Sequence, residues 1–386
     1  MTEETSYRKS LGLVELVSLG VGGTIGSGIF VVPGIAAGIA GPSSLFAWVI
    51  VALSACCVAL SLAWIQARSP SGTTFTAIFE PVFGPRFSGI LVTIYLVSSV
   101  FGIATIAAGL GQYLTFFAIP HVLATEIFVI MAFLGVNLIG IAFSGRTENI
   151  LTAAKIVPIV IIAVALIPFI HIENLIPEQV VPLPDILKVI IIVYWPFTGF
   201  EISAIPVEET RDPRTISRAL LLVMLLVCTI YLVLNISLIG SVGAAALAAS
   251  PAPVAYAAGI VFPGSAPFVA VIAIITMFSA LNAYIIGTSR VLQNMARNFH
   301  LPRLAELTPR GTPKTALVIS CVLSGALLFF SNSFDLLASV AVVTTLVPYV
   351  AICLVAFILS EKARVRVIAT LGAAMTAAIL ALYFIL

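Results

Sequence analysis

Residues 20–30 read GVGGTIGSGIF, between the apolar runs LGLVELVSL and VVPGIAAGIAG. Five of these eleven residues are glycine, and Thr24 and Ser27 are polar. A glycine inside a helix costs about 1 kcal/mol relative to alanine. In lipid, a freed backbone group costs several kcal/mol more. Two readings account for such a span. Gly22 and Gly26 form a GxxxG pair, a packing face for a neighbouring helix. Alternatively, the helix is discontinuous and its unwound centre lines a binding cavity near the bilayer midplane. The amino end of the second half would then offer free N–H groups and a positive dipole end, which suit a carboxylate.

The composition places this stretch in a membrane. Of 386 residues, 61% are hydrophobic and 9% charged, and the mean hydropathy is +1.21. A soluble domain has about 25% charged residues. The net charge of +2 matters less than where the charges lie. Cys56, Cys57, Cys228, Cys321 and Cys353 sit in apolar stretches, without metal-ligand spacing or a disulfide framework, and read as small core residues. Arg8 and Lys9 lead directly into the first span, so no cleavable signal peptide is expected.

Apolar runs of about 20 residues give eleven candidate spans, near 12–38, 44–66, 87–117, 124–143, 150–171, 187–206, 216–243, 266–296, 315–331, 334–359 and 365–386. Basic residues gather in alternate segments, from Arg8 and Lys9 through Arg146, Arg211, Arg214, Arg218 and Arg290 to Lys362, Arg364 and Arg366. The loops on the other side hold only Lys188. The positive-inside rule then puts the N-terminus in the cytoplasm of a cell membrane, and the odd number of spans puts the C-terminus outside.

An interrupted first span has a consequence that the sequence itself can meet. If the chain is an inverted repeat, a second interruption should lie five spans later. The sixth span, IIIVYWPFTGFEISAIPVEE (residues 190–209), has Pro196 and Gly199 at its centre, with the polar Thr198 and the ionisable Glu201 beside them. Residues 1–386 then form a single transmembrane domain: a first five-helix repeat (12–171), a second, inverted one (187–359), and an extra helix (365–386).

At this point the sequence resembles the amino acid–polyamine–organocation transporter superfamily. GVGGTIGSGIFVVPG is similar to its first-span motif, and ARSPSGTTFTAIFEPVFG fits its loop between the second and third spans. FTGFEISAIPVEETRDPRTISRAL resembles the sixth span and following loop, and SALNAYIIGTSRVLQNMARNFHLPRLAELTPRGTPKTAL the eighth span and following loop. Many members have twelve spans, where eleven are counted here. The resemblance implies an all-α polytopic membrane protein with the five-plus-five inverted-repeat fold, the first and sixth helices discontinuous, working by alternating access. It implies that an amino acid carboxylate sits on the backbone amides of Thr24, Ile25, Gly26, Ser27 and Gly28, and that its ammonium meets carbonyls around Trp195, Phe197 and Thr198. Trp195, Phe197 and Phe200 are candidate lids, against which stands ordinary core or lipid-facing packing.

Lys155 lies in NILTAAKIVPIVIIAVALIPF, about one and a half turns into the fifth span. An ionisable residue inside a membrane span is a functional candidate by default. Burial disfavours a charged ammonium, which suits a group that gains and loses a proton; the alternative is that the side chain snorkels to the interface. In proton-coupled members of the superfamily a fifth-span lysine occupies the place of a sodium ion. The resemblance therefore implies that the amine faces the Gly22 carbonyl and the Ser279 hydroxyl, with a proton as the coupling ion and sodium disfavoured. Related exchangers also carry a lysine there.

Glu201 is the second ionisable group read as deeply buried: a proton site, a gate, or a partner of the unwound backbone. Glu208, Glu209, Arg211, Asp212, Arg214 and Arg218 lie on the cytoplasmic loop, and most of them read as a solvated charge network, with a cytoplasmic gate as the alternative. Glu15 and Glu126 sit near the starts of spans and are weak candidates. With no evident carboxylate dedicated to a distal positive charge, the expected substrates are neutral amino acids with small or medium apolar side chains. Polyamines, purines and cationic amino acids stay open. No HExxH, paired aspartates or Ser/His pair lies within the spans, so an enzyme is not expected, nor is an organic cofactor or a metal. A channel would also use broken helices. The basic residues follow the membrane rule and give no support to nucleic-acid binding. The expected partners are the small-molecule substrate and membrane lipids; the sequence leaves the oligomeric state unread.

Overall fold

The computed structural model describes residues 7, 9–69, 73–177 and 180–385. Arg8, used above for orientation, and residues 70–72 of the second-to-third-span motif lie outside the described residues. Among the described residues the fold is all helix. Nine helical stretches among the described residues are long and apolar enough to cross a membrane. The first of them, Leu13–Arg68, contains two crossings divided by the 3-10 turn Gly41–Ser43. With the shorter apolar helix Lys314–Phe330, the eleven expected spans are accounted for.

The first span is α1 (Leu13–Thr24) followed by α2 (Ser27–Ala40). Then come α3 (Ser44–Arg68), α4 (Glu80–Phe116), α5 (Val122–Ile139) and α6 (Ile141–Leu166). The sixth span opens with α7 (Leu183–Tyr194) and the seventh is α8 (Arg214–Val242). Two short helices, α9 (Ala244–Ala248) and α10 (Pro253–Val261), fill the following connector. The remaining elements are α11 (Ala266–Asn298), the short α12 (Pro302–Ala305), α13 (Lys314–Phe330), α14 (Phe334–Leu359) and α15 (Ala363–Ile385).

Burial sorts these helices. The most apolar window of the sixth span is 83% buried and that of α11 72%, against 22% for α15. The broken spans and α11 are therefore central, while α15 lies outside them, packed on α3 and α14. Large side chains such as Phe46, Phe87, Phe128, Ile161, Leu225 and Phe268 are exposed around the outside, where lipid tails replace water.

Both expected breaks are present. α1 stops at Thr24, Ile25 and Gly26 are non-helical, and α2 restarts at Ser27. Only Gly26 of the five glycines lies in the break itself. The others sit in helical turns and serve close contact: a Cβ on Gly22 would lie 2.0 Å from Glu148 Oε1, and one on Gly28 2.8 Å from Pro196 Cα. Gly26 serves both readings, since it lies in the break and a Cβ on it would also lie 2.6 Å from Ala280 Cβ of α11. In the sixth span α7 ends at Tyr194 and gives way to a 3-10 turn, Trp195–Phe197. Thr198 is extended, and Gly199 has φ +98°, which glycine adopts without penalty. The second half of this span is not an α-helix but the 3-10 turns Phe200–Ala204 and Val207–Glu209.

Two span boundaries differ from expectation in a way that bears on function. The third span starts at Glu80, with a kink at Gly84 (φ +71°), rather than near 87. The fifth starts at Ile141 rather than 150. Arg146, Glu148 and Asn149 end the apolar run without ending the helix. Lys155 is therefore fourteen residues past the helix start, about four turns in rather than one and a half. Its side chain is 0% exposed, so it does not snorkel.

Candidate functional site

The two breaks meet. A Cβ on Gly199 would lie 2.6 Å from the Gly23 carbonyl oxygen, so the backbones of the first and sixth spans are in direct contact there. Tyr231 of α8 ties them together: its hydroxyl is 2.7 Å from the Thr24 carbonyl and 3.0 Å from the Pro196 carbonyl. Its ring packs edge-on to Phe197 and Trp48, with centroids at 5.1 and 5.8 Å. The one O–H proton of Tyr231 is thus shared between a carbonyl from each broken helix, groups that need a donor inside the membrane. Tyr231→Phe keeps the ring and removes the bridge. The expected result is a folded protein destabilised by about 1 kcal/mol, with initial uptake reduced several-fold, checked by thermal unfolding in detergent and by counterflow.

The expected carboxylate position has two kinds of amide. Those of Thr24 and Ile25 belong to α1, where Ile25 N–H donates to Val21 O at 2.8 Å. Ser27 and Gly28 instead open α2, capped by Gly26, and helix geometry leaves the first N–H groups of α2 without intrahelical acceptors. The Thr24 hydroxyl is turned back to Gly20 O at 2.6 Å. Across from α2, the Trp195 indole N–H donates to Ser27 Oγ at 3.3 Å. Thr198 Oγ1 donates to Trp195 O at 2.8 Å and lies 3.1 Å from the Tyr284 hydroxyl of α11.

Of the three candidate lids, Trp195 is the one bonded across to the first break. Phe197 packs on Tyr231, and Phe200, next to Glu201 in the chain, packs on Tyr349 at 5.3 Å.

Lys155 is held in a cage of oxygens. Its three N–H donors are shared among four oxygens, the carbonyls of Val21 (3.2 Å from Nζ), Gly22 (3.1 Å) and Ile25 (2.8 Å) and Ser279 Oγ of α11 (2.8 Å). Three of the four partners are carbonyls at the carboxy end of α1 and in the break, the negative end of a half-helix.

Sequence reasoning missed the group next to it. Glu148, also 0% exposed, accepts from Ser279 Oγ (2.5 Å) and Thr152 Oγ1 (3.1 Å) at Oε1 and from Asn282 Nδ2 (2.8 Å) at Oε2. Asn137 of α5 extends this network by donating to Asn282 Oδ1 at 3.0 Å. Glu148 is thus a third deeply buried ionisable group besides Lys155 and Glu201. A signal did exist, since Glu148, Thr152 and Lys155 follow at spacings of four and three and so share one helix face.

Glu201 is fully engaged. Oε1 accepts from the Tyr95 hydroxyl of α4 at 3.0 Å, and Oε2 from the Tyr349 hydroxyl of α14 at 2.5 Å and from Gly199 N–H at 3.1 Å. It therefore supports the unwound backbone and anchors it to two flanking helices.

The loop charges also differ from expectation. Glu209 is buried against Arg290 of α11, with Nη2 to Oε1 at 3.2 Å, while Glu208 and Arg297 pair at 2.5 Å nearer the surface. Burial pushes the Glu209 carboxyl up, and the Arg290 guanidinium draws it back. The backbone of Ser10 and Leu11 donates to Glu209 O, and Arg211 N–H donates to Leu11 O at 2.9 Å. Glu209 thus leaves the solvated network expected from the sequence, while Arg211, Asp212, Arg214 and Arg218 are exposed as expected. Glu209 and Arg290 lie 81 residues apart, so no local pattern joins them.

The comparisons with known proteins agree with this architecture. Residues 11–386 match the amino acid permease family. The chain is 25% identical to the branched-chain amino acid permease BcaP of Bacillus subtilis, over 93% of this chain and 82% of that one. It is 25% identical to the L-methionine/branched-chain amino acid exporter YjeH of Escherichia coli, over 98% and 92%. It is 26% identical to the serine/threonine exchanger SteT of Bacillus subtilis, over 94% and 86%. With two broken spans in contact and a family match that runs from the start of the first span through the last helix, the chain belongs to the amino acid permease family and is a multi-pass membrane transporter rather than an enzyme.

Proposed function

We propose that this chain imports neutral amino acids with small or medium apolar side chains by proton-coupled alternating access. The observation that carries this reading is the Lys155 cage. Three backbone carbonyls and a hydroxyl would suit a small cation, yet a fixed ammonium occupies their centre, which argues against sodium there. The crossing of the breaks supplies N–H groups at the start of α2 and carbonyls from the sixth span, complementary to a zwitterion. Glu201 is committed to two tyrosines and Gly199 and so is not free to receive a cationic side chain. The three relatives are named for neutral amino acids, in keeping with this choice. In this reading residues 12–171 and 187–359 are inverted repeats, the N-terminus is cytoplasmic, and the Glu209–Arg290 layer is the cytoplasmic gate.

The test is uptake of labelled alanine, serine and leucine into proteoliposomes. An inward proton gradient is expected to drive accumulation, and a sodium gradient at uniform pH is not. Uptake that needs only internal amino acid, with no response to either gradient, would replace symport by exchange; the relatives named as an exchanger and an exporter make that the second reading.

A further inference from the structure

We propose that Glu148 is the proton partner of Lys155, receiving its proton through the hydroxyl of Ser279. This deepens the reading of Lys155 as the coupling site and rests on it. Ser279 Oγ accepts from Lys155 Nζ at 2.8 Å and donates to Glu148 Oε1 at 2.5 Å, so one hydroxyl is in line between an ammonium and a carboxylate. All three groups are 0% exposed. In the step, an Nζ–H bond breaks as an O–H bond forms on Ser279, while the original Ser279 proton passes to Glu148 Oε1. The products are a neutral amine, a hydroxyl turned towards Nζ and a carboxylic acid. The net charge of the site is zero before and after, so no bare charge is left in the membrane.

The surroundings accommodate both states. Oε2 is fixed as an acceptor by Asn282, which leaves Oε1 to take the proton. The Thr152 hydroxyl has two acceptors within reach, Glu148 Oε1 at 3.1 Å and Ser18 O at 3.2 Å, and can turn to the second when the first is protonated. The ammonium has three N–H donors and a charge, whereas the amine has two donors and none. Proton transfer therefore weakens the charge-assisted hold on the Val21, Gly22 and Ile25 carbonyls. Occupancy of Glu148 would thus set how firmly the first-span break is held.

The long helices packed on α6 are α1, α5, α8 and α11. From α1 the ionisable neighbour is Glu15, whose Oε1 accepts from Asn149 at 3.5 Å. From α5 and α11 the facing groups are Asn137, Asn282 and Ser279, none of which titrates. The charges of α8, Arg214 and Arg218, lie in its first turns, and those of α11 engage Glu208 and Glu209.

The experiment is amino acid counterflow in proteoliposomes at a series of symmetric pH values, each curve normalised to its own maximum. Counterflow needs no ion gradient, only internal unlabelled amino acid, so it reads the site whether the protein is a symporter or an exchanger. The wild type should show a pH midpoint. Glu148→Gln should move it by about one unit or more, as expected when one member of a strongly interacting pair is removed. Ser279→Ala, which keeps both ionisable groups, should also move it, and Glu148→Asp should restore the wild-type profile more nearly than Glu148→Gln. A flat wild-type curve, or an unmoved midpoint in either Glu148→Gln or Ser279→Ala, overturns the proposal. If Glu148→Gln does not fold, Ser279→Ala decides alone. Accumulation under a proton gradient, measured on the same wild-type vesicles, separately decides whether transport is symport.

Discussion

Lys155→Ala is expected to abolish proton-driven accumulation and to lower stability by about 3–5 kcal/mol, the cost of leaving a buried charge without its counter-charge. The substitution removes the ammonium from the Val21, Gly22 and Ile25 carbonyls and leaves Glu148 with its counter-charge gone. Two causes of loss then need separating, the missing charge and the missing volume. Lys155→Met fills most of the space with an apolar chain, so it should recover packing but not coupling. Thermal unfolding in detergent reads the first and uptake under a proton gradient the second. If Lys155→Met unfolds at a higher temperature than Lys155→Ala while neither accumulates substrate, the ammonium acts in coupling as well as in the fold. If either variant accumulates alanine with wild-type dependence on the proton gradient, the coupling role is wrong.

Lys155 was visible in the sequence because a lone charge in an apolar run is conspicuous. Glu148 was not, because RTEN looks like the end of a cytoplasmic loop. An apolar-run search stops at the first charged residue, whereas a helix stops only when its backbone does. The two breaks were legible for the opposite reason: Pro196, Gly199 and the glycines of residues 20–30 act on their own backbone, so their effect is local. What the sequence could not supply is the pairing of distant groups. Tyr231 resembles any tyrosine in an apolar span, yet it joins both breaks. Arg290 was assigned to a cytoplasmic segment by its charge, although it lies within α11 and is buried against Glu209. Glu201 could be identified as unusual, but its engagement by Tyr95 and Tyr349 depends on helices far away in the chain. Close approach between helices likewise left its mark only as glycine, without naming the partner.

Gly199→Ala should be the most damaging single-methyl change at the centre of the molecule. The residue has φ +98°, where a Cβ meets its own backbone; that conformation costs a non-glycine residue roughly 1–2 kcal/mol. The added carbon would also lie 2.6 Å from Gly23 O and 2.7 Å from Gly23 C. These are backbone atoms of a helix held by Lys155 and Tyr231, so no side-chain rotation relieves the clash. Overpacking of this kind adds about 1–3 kcal/mol. Relief would require the first and sixth spans to move apart, which would pull Thr24 O and Pro196 O away from their shared hydroxyl and strain the Gly199 N–H bond to Glu201. Counterflow should therefore fall to background and the unfolding temperature should drop. Gly135→Ala is the matched control: it lies in α5, its Cβ would meet nothing within 4 Å, and alanine favours a helix by about 0.5–1 kcal/mol over glycine. Wild-type counterflow and stability in Gly199→Ala, alongside the same result for Gly135→Ala, would mean that the two breaks do not touch, and the substrate site built on their contact would have to be abandoned.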